Sequence, residues 1–135
     1  MFEHFKFSRK QIEKYHKSAQ RDFRIASEAN VAEVSFRFCY DALLKLAIAV
    51  CASQNLRVKS RRGHHIELIK KLSSLLSDSE VEVFANEMRA KRNWDLYGGG
   101  AIISKKEADE YLKWTKSIFS KADRVLHGKQ ARLKI

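Results

Sequence analysis

Proline is absent from this 135-residue chain, and glycine occurs only five times, three of them consecutively at Gly98–Gly100. Sheets and barrels need frequent Gly and Pro turns, so these absences exclude most all-β and doubly wound folds and leave a chain of helices. Cysteine is equally scarce. Cys39 and Cys51 stand twelve residues apart in an apolar stretch without a CxxC spacing, which suits a reducing cytoplasm better than a disulfide scaffold. Two cysteines and five histidines supply no spaced quartet for zinc, and neither a metal nor a cofactor is expected. The segment MFEHFKFSRK lacks the apolar core of a signal peptide, and no run reaches the ~18 apolar residues that a membrane span requires. The expectation is a cytoplasmic protein without a membrane partner. A GxGxxG turn, a phosphate-loop lysine and an HExxH pair are also missing.

What remains is 44% apolar and 32% charged, the composition of a folded chain. The expected organisation is one domain over residues 1–135, with flexible basic ends at 1–8 and 129–135. Ser8 and Gln11 have capping-box spacing, and Ile12, Tyr15, Ala19, Phe23 and Ala26 form the stripe of a first helix. A second helix spans about Val31–Gln54. Between Ala42 and Ala52 only Lys45 interrupts its apolar run, so it is predicted to be central and to line a subunit interface. A third runs from His64 to Leu76, with Ile66, Ile69, Leu72 and Leu76 inward. Ser77 and Glu80 open a fourth, through Val81, Phe84 and Met88 to Leu96, which the glycine run stops. Ser104 and Glu107 open a fifth, striped from Ala108 to Leu126 and ended by Gly128. The fold class is all-α, an up-and-down bundle of about five helices.

Stepping by four from Phe84 and Met88 reaches Arg92, a guanidinium on an apolar stripe. An unpaired charge there would cost several kcal/mol. Arg92 therefore either snorkels or pairs with Asp95, or points into a cleft and meets an anion, with Asn93 and Tyr97 beside it. His64 and His65 follow a glycine at the expected N-terminus of the third helix, where backbone N–H groups favour anions. They are either a cap and an exposed neighbour or, with Arg57, Lys59, Arg61 and Arg62, an anion pocket; the basic residues are otherwise a solvated connection. Twenty-seven basic against sixteen acidic residues give a net charge of +11, which attracts phosphate backbones but also keeps a protein soluble. Trp94 and Trp114 can stack bases, though packing is the commoner use of such positions.

The run Arg92-Asn93-Trp94-Asp95-Leu96-Tyr97 resembles the motif of HEPN domains, a family of helical bundles found in nucleotidyltransferase-linked modules and RNases. Tyr40-Asp41-Ala42-Leu43-Leu44-Lys45-Leu46, Arg57-Val58-Lys59-Ser60 and Gly63-His64-His65 extend the likeness, which covers roughly residues 22–126. The resemblance implies a homodimer with Arg92 from both chains in one cleft, acting on RNA without metal through attack of a 2′-hydroxyl on the adjacent phosphate. The family's motif histidine is Tyr97 here, a poor base near neutral pH, and His64 or His65 is the nearest imidazole able to fill that role. The implied function is an RNA-acting protein: a toxin-like, metal-independent endoribonuclease of the toxin–antitoxin type, or its RNA-binding derivative. The alternative is a non-catalytic helical partner, an antitoxin or adaptor, of a nucleotidyltransferase or another protein.

Overall fold

The computed structural model describes residues 2–59, 64–97 and 103–133, without the side chains of 95–97 and 128–133. Its elements run β1 (Phe2–His4), α1 (Arg9–Glu28), α2 (Ala32–Ser53), β2 (Leu56–Val58), α3 (His64–Leu75), α4 (Ser79–Tyr97) and α5 (Lys105–Leu133). The chain is thus mostly helical, as its lack of breakers implies.

α2 is the axis on which the other elements assemble. Phe36, Leu43, Leu46 and Val50 are buried along its length, as are the free thiols Cys39 and Cys51. α1, α3, α4 and α5 all pack against it. Burial pushes the thiols of Cys39 and Cys51 up to about 11 and about 12, respectively. Cys39 Sγ lies 3.2 Å from Thr115 Oγ1, a polar contact between α2 and α5 inside the core. Lys45, the one charge in the apolar run, reaches out to Asp22 on α1, Nζ to Oδ2 at 2.7 Å. Asp22 is only 2% exposed, so the pair supplies its buried carboxylate with a counter-charge; beside it Ser35 Oγ of α2 donates to Ala26 O of α1 at 2.8 Å.

Local chemistry sets the helix starts. Ser8 and Gln11 form a reciprocal capping box, Gln11 N–H donating to Ser8 Oγ at 3.1 Å and Ser8 N–H to Gln11 Oε1 at 2.8 Å. At α5, Glu107 N–H donates to Ser104 Oγ at 3.1 Å. The expected Ser77–Glu80 box does not form. Ser77 adopts φ 52°, a left-handed residue that turns the chain at the end of α3, whereas an N-cap needs extended backbone. Asp78 caps α4 instead, its Oδ1 accepting from Glu80 N–H at 3.1 Å.

Other expectations also need correction. α5 continues through Gly128 to Leu133, because a glycine costs a helix about 1 kcal/mol but removes no backbone hydrogen bond. Near the N-terminus, where no strand was expected, residues 2–4 pair as β1 with the start of the basic connection, β2. This ladder is antiparallel, with Glu3 opposite Arg57. Ile66 is 42% exposed, and Leu68 is buried in the role expected of it. On α4 the buried stripe is Val81, Ala85 and Met88, with Phe84 turned outward against Trp114 on α5, ring centroids 5.3 Å apart. Among the described residues, no helix is long and apolar enough to cross a membrane.

Candidate functional site

The polar centre of the molecule forms where α3 and α4 pack on the middle of α2. Tyr40 of α2 is fully buried, and its hydroxyl must find a partner there. It finds His65 at the start of α3, with Oη 3.3 Å from Nδ1. The two rings stand 5.9 Å apart at 60°. His64 meets the same imidazole edge-on, centroids 4.5 Å apart. From α4, the Arg92 guanidinium lies over the Tyr40 ring, Cζ 5.8 Å from its centroid. Three helices therefore bring a phenol, two imidazoles and a guanidinium to one place.

The electrostatics follow from partial burial under a positive field. Burial lowers the His65 pKa below its ordinary 6.5, and His64, Arg92 and Arg89 lower it further. This imidazole is therefore neutral at pH 7. Burial raises the Tyr40 hydroxyl to about 12, against the opposing pull of Arg92 and Arg89, so the phenol keeps its proton. The next residue along α2, Asp41, is half-buried. Burial raises its pKa, with Asp22 adding to the rise and Arg92, Lys45 and Arg37 opposing it.

Arg92 makes no ion pair among the described residues. Its nearby acidic group is Asp41; the side chain of Asp95, the partner expected from sequence, lies outside the described residues. Arg89, one turn earlier, has Nε 3.4 Å from Asn86 Oδ1. The arrangement holds two guanidinium groups beside a neutral imidazole whose other ring nitrogen, Nε2, is not the one facing Tyr40. Such a site can take a phosphate and accept a proton from a group next to it.

The expected site residues fare differently. His65 and Arg92 come together, with His64 against His65. Asn93 is half-buried next to Arg92 on α4. Tyr97 ends α4, but its side chain lies outside the described residues. Arg57 is committed elsewhere: its Nη2 and Nε lie 2.6 and 2.7 Å from Glu3 Oε1, and its Cζ sits 4.2 Å from the centroid of the Phe5 ring. It therefore fastens β2 to the N-terminal strand. Lys59 is exposed, and Arg61 and Arg62 lie outside the described residues. Trp114 packs against Phe84, whereas Trp94 is 59% exposed.

Tyr40, Asp41 and Arg89 are members of the site to which sequence reasoning assigned no site role, although Tyr40 and Asp41 open a segment of the HEPN-like stretch. A signal was present: Tyr40-Asp41 is a polar pair within the apolar face of the central helix, and Arg89 precedes Arg92 by one turn. Among the described residues, no three His, Cys, Asp or Glu side chains gather to hold a metal ion. No family model matches the chain, and neither a curated protein nor a solved structure does.

Proposed function

We propose that this protein binds RNA at the Arg92–His65 centre and cleaves it without metal. The observation that carries the reading is the convergence of a neutral imidazole and a guanidinium, one that makes no ion pair among the described residues, on one buried phenol. Net charge of +11 supports it by drawing a polyanion to the surface, as does the resemblance to HEPN domains in the residues around Arg92.

In this reading Nε2 of His65 removes the proton from a ribose 2′-hydroxyl. The 2′-oxygen bonds to the adjacent phosphorus as the bond to the 5′-oxygen breaks, and solvent protonates the departing oxygen. The products are a 2′,3′-cyclic phosphate and a 5′-hydroxyl end. Arg92 and Arg89 offset the charge that builds on the phosphoryl oxygens. Tyr40 suits His65 in either state, because a phenol can donate to a bare Nδ1 or accept from a protonated one. A homodimer would place Arg92 of both chains in one cleft, since a two-fold axis sets the same residues opposite each other.

The second reading, a non-catalytic partner of another protein, is favoured by Trp94, a large ring exposed next to Asn93. One experiment separates the two. Single-stranded RNA is incubated with the protein in chelator, and the ends are mapped. Cleavage should leave cyclic phosphates, disappear in Arg92→Ala and His65→Ala, and survive as binding in both. RNA that stays intact under every condition supports the partner reading instead.

A further inference from the structure

The groove between α4 and α5 lies outside the centre just described, and its chemistry is of the opposite sign. The backbones of the two helices stay apart, and side chains span the gap around a cleft of about 260 Å³. At about 30 Å³ per water molecule, that is room for a side chain. In the inner part, the Lys91 ammonium is held 2.7 Å from Glu107 Oε2 and 5.0 Å from the centroid of the Tyr111 ring. The Glu107 hydrogen bond, then that of Tyr111, raises the Lys91 pKa. A carboxylate and a ring, one helical turn apart on α5, thus hold a cation already.

The same pair recurs one turn further along. Glu110 and Trp114 repeat the four-residue spacing of Glu107 and Tyr111, and both line the cleft, facing Glu87 and Phe84 of α4. Phe84 and Trp114 meet at 44° and leave Phe84 36% exposed. Glu87 and Glu110 are exposed and form no ion pair among the described residues. Among the described residues, the outer part of the groove thus has two carboxylates and two rings with no cation paired to either carboxylate, although Glu110 also borders a second cleft lined by Lys105, Lys106 and Lys113.

We infer that this outer half binds an arginine side chain presented by a partner protein. A planar guanidinium can lie against an aromatic face and fork to carboxylates on either side, which a compact ammonium does less well. Within the cleft itself three glutamates stand against one lysine, a lining that suits a cation better than a phosphate. A second copy, itself +11, would need contacts beyond this groove to offset its repulsion, as the homodimer proposed above would at its own interface. A partner of lower charge with one well-placed arginine fits the local and the long-range field together. The inference is independent of the RNA reading.

The test uses the full chain and acetyl-Gly-Arg-Gly-amide, with the citrulline peptide as its uncharged isostere. The chain has two tryptophans, and Trp94→Phe, a change at an exposed ring, assigns the Trp114 indole N–H signal by NMR. The arginine peptide should shift that signal saturably and the citrulline peptide should not. Glu87→Gln and Glu110→Gln should each weaken binding roughly two- to fivefold, the worth of an exposed charge pair, with the fold confirmed by circular dichroism. An unmoved Trp114, an equal response to citrulline, or indifference to both glutamine variants overturns the inference. So does a Trp114 shift produced by oligouridylate, or self-association that the arginine peptide dissolves, which would make the occupant a second copy.

Discussion

Replacing Tyr40 by phenylalanine removes one oxygen from the centre of the protein and keeps the ring under Arg92. The hydroxyl lost lies 3.3 Å from His65 Nδ1, at the long end of hydrogen-bond geometry. Its net contribution should therefore fall low in the usual range, about 0.5–1 kcal/mol, or roughly a two- to fivefold drop in the folding constant. Packing adds little to this, since the ring stays in place. The imidazole should respond as well. A protonated His65 can donate Nδ1–H to the phenol oxygen, and charge-assisted bonds are the stronger kind, so the variant should disfavour the imidazolium and move the His65 titration to lower pH. Urea denaturation reads the first effect and histidine NMR the second. An unchanged urea midpoint together with an unmoved His65 titration would show that the phenol does not hold the imidazole, and the arrangement proposed for catalysis would fall.

The depressed pKa of His65 carries a stability consequence with a definite sign. The unfolded chain takes up this proton first, so stability should fall as pH drops below about 6.5 and level off below the folded pKa; urea midpoints between pH 5 and 8 should lose that component in His65→Asn. Lys45→Met should strand the buried Asp22 carboxylate. The partly exposed lysine and the nearby Arg21 moderate the cost to about 1–3 kcal/mol, and a urea midpoint that recovers in Asp22→Asn/Lys45→Met identifies the stranded charge as the cause.

The features legible in the sequence were those decided within a few residues. The Ser8–Gln11 and Ser104–Glu107 caps and the burial of α2 depend on neighbours along one helix. Ser77–Glu80 has the same spacing and fails, because Ser77 is needed to end the preceding helix. Gly128 was read as a stop, but a long helix can absorb one glycine. Phe84 was assigned to the core on periodicity, yet Ala85 is the residue α4 turns inward. β1 and β2 were invisible because each is three residues long, too short for alternation to register. Arg92 stood out as a charge on an apolar stripe, whereas Tyr40 appeared only as part of a segment that resembles HEPN domains, with no role of its own. Only tertiary packing reveals that its hydroxyl faces His65, and only the Glu3 contact reveals that Arg57 is engaged.

The small ladder between β1 and β2 behaves differently from the helices it accompanies. Phe5 N–H donates to Asn55 O at 3.1 Å, so the clasp sits at the open end of the α1–α2 hairpin, joining residues 54 apart in sequence through Glu3 and Arg57. Closing so long a loop from a free coil would cost on the order of 3–4 kcal/mol. Packing of α1 on α2 has already brought its ends together, so the clasp forms with little further loss of chain entropy. By the same reasoning it can open without unzipping the hairpin. Its amides should exchange with solvent through a local, low-energy opening while those of α2 wait for global unfolding. Because β2 packs against α3, the N-terminal strand is tied through it to the helix that carries His64 and His65.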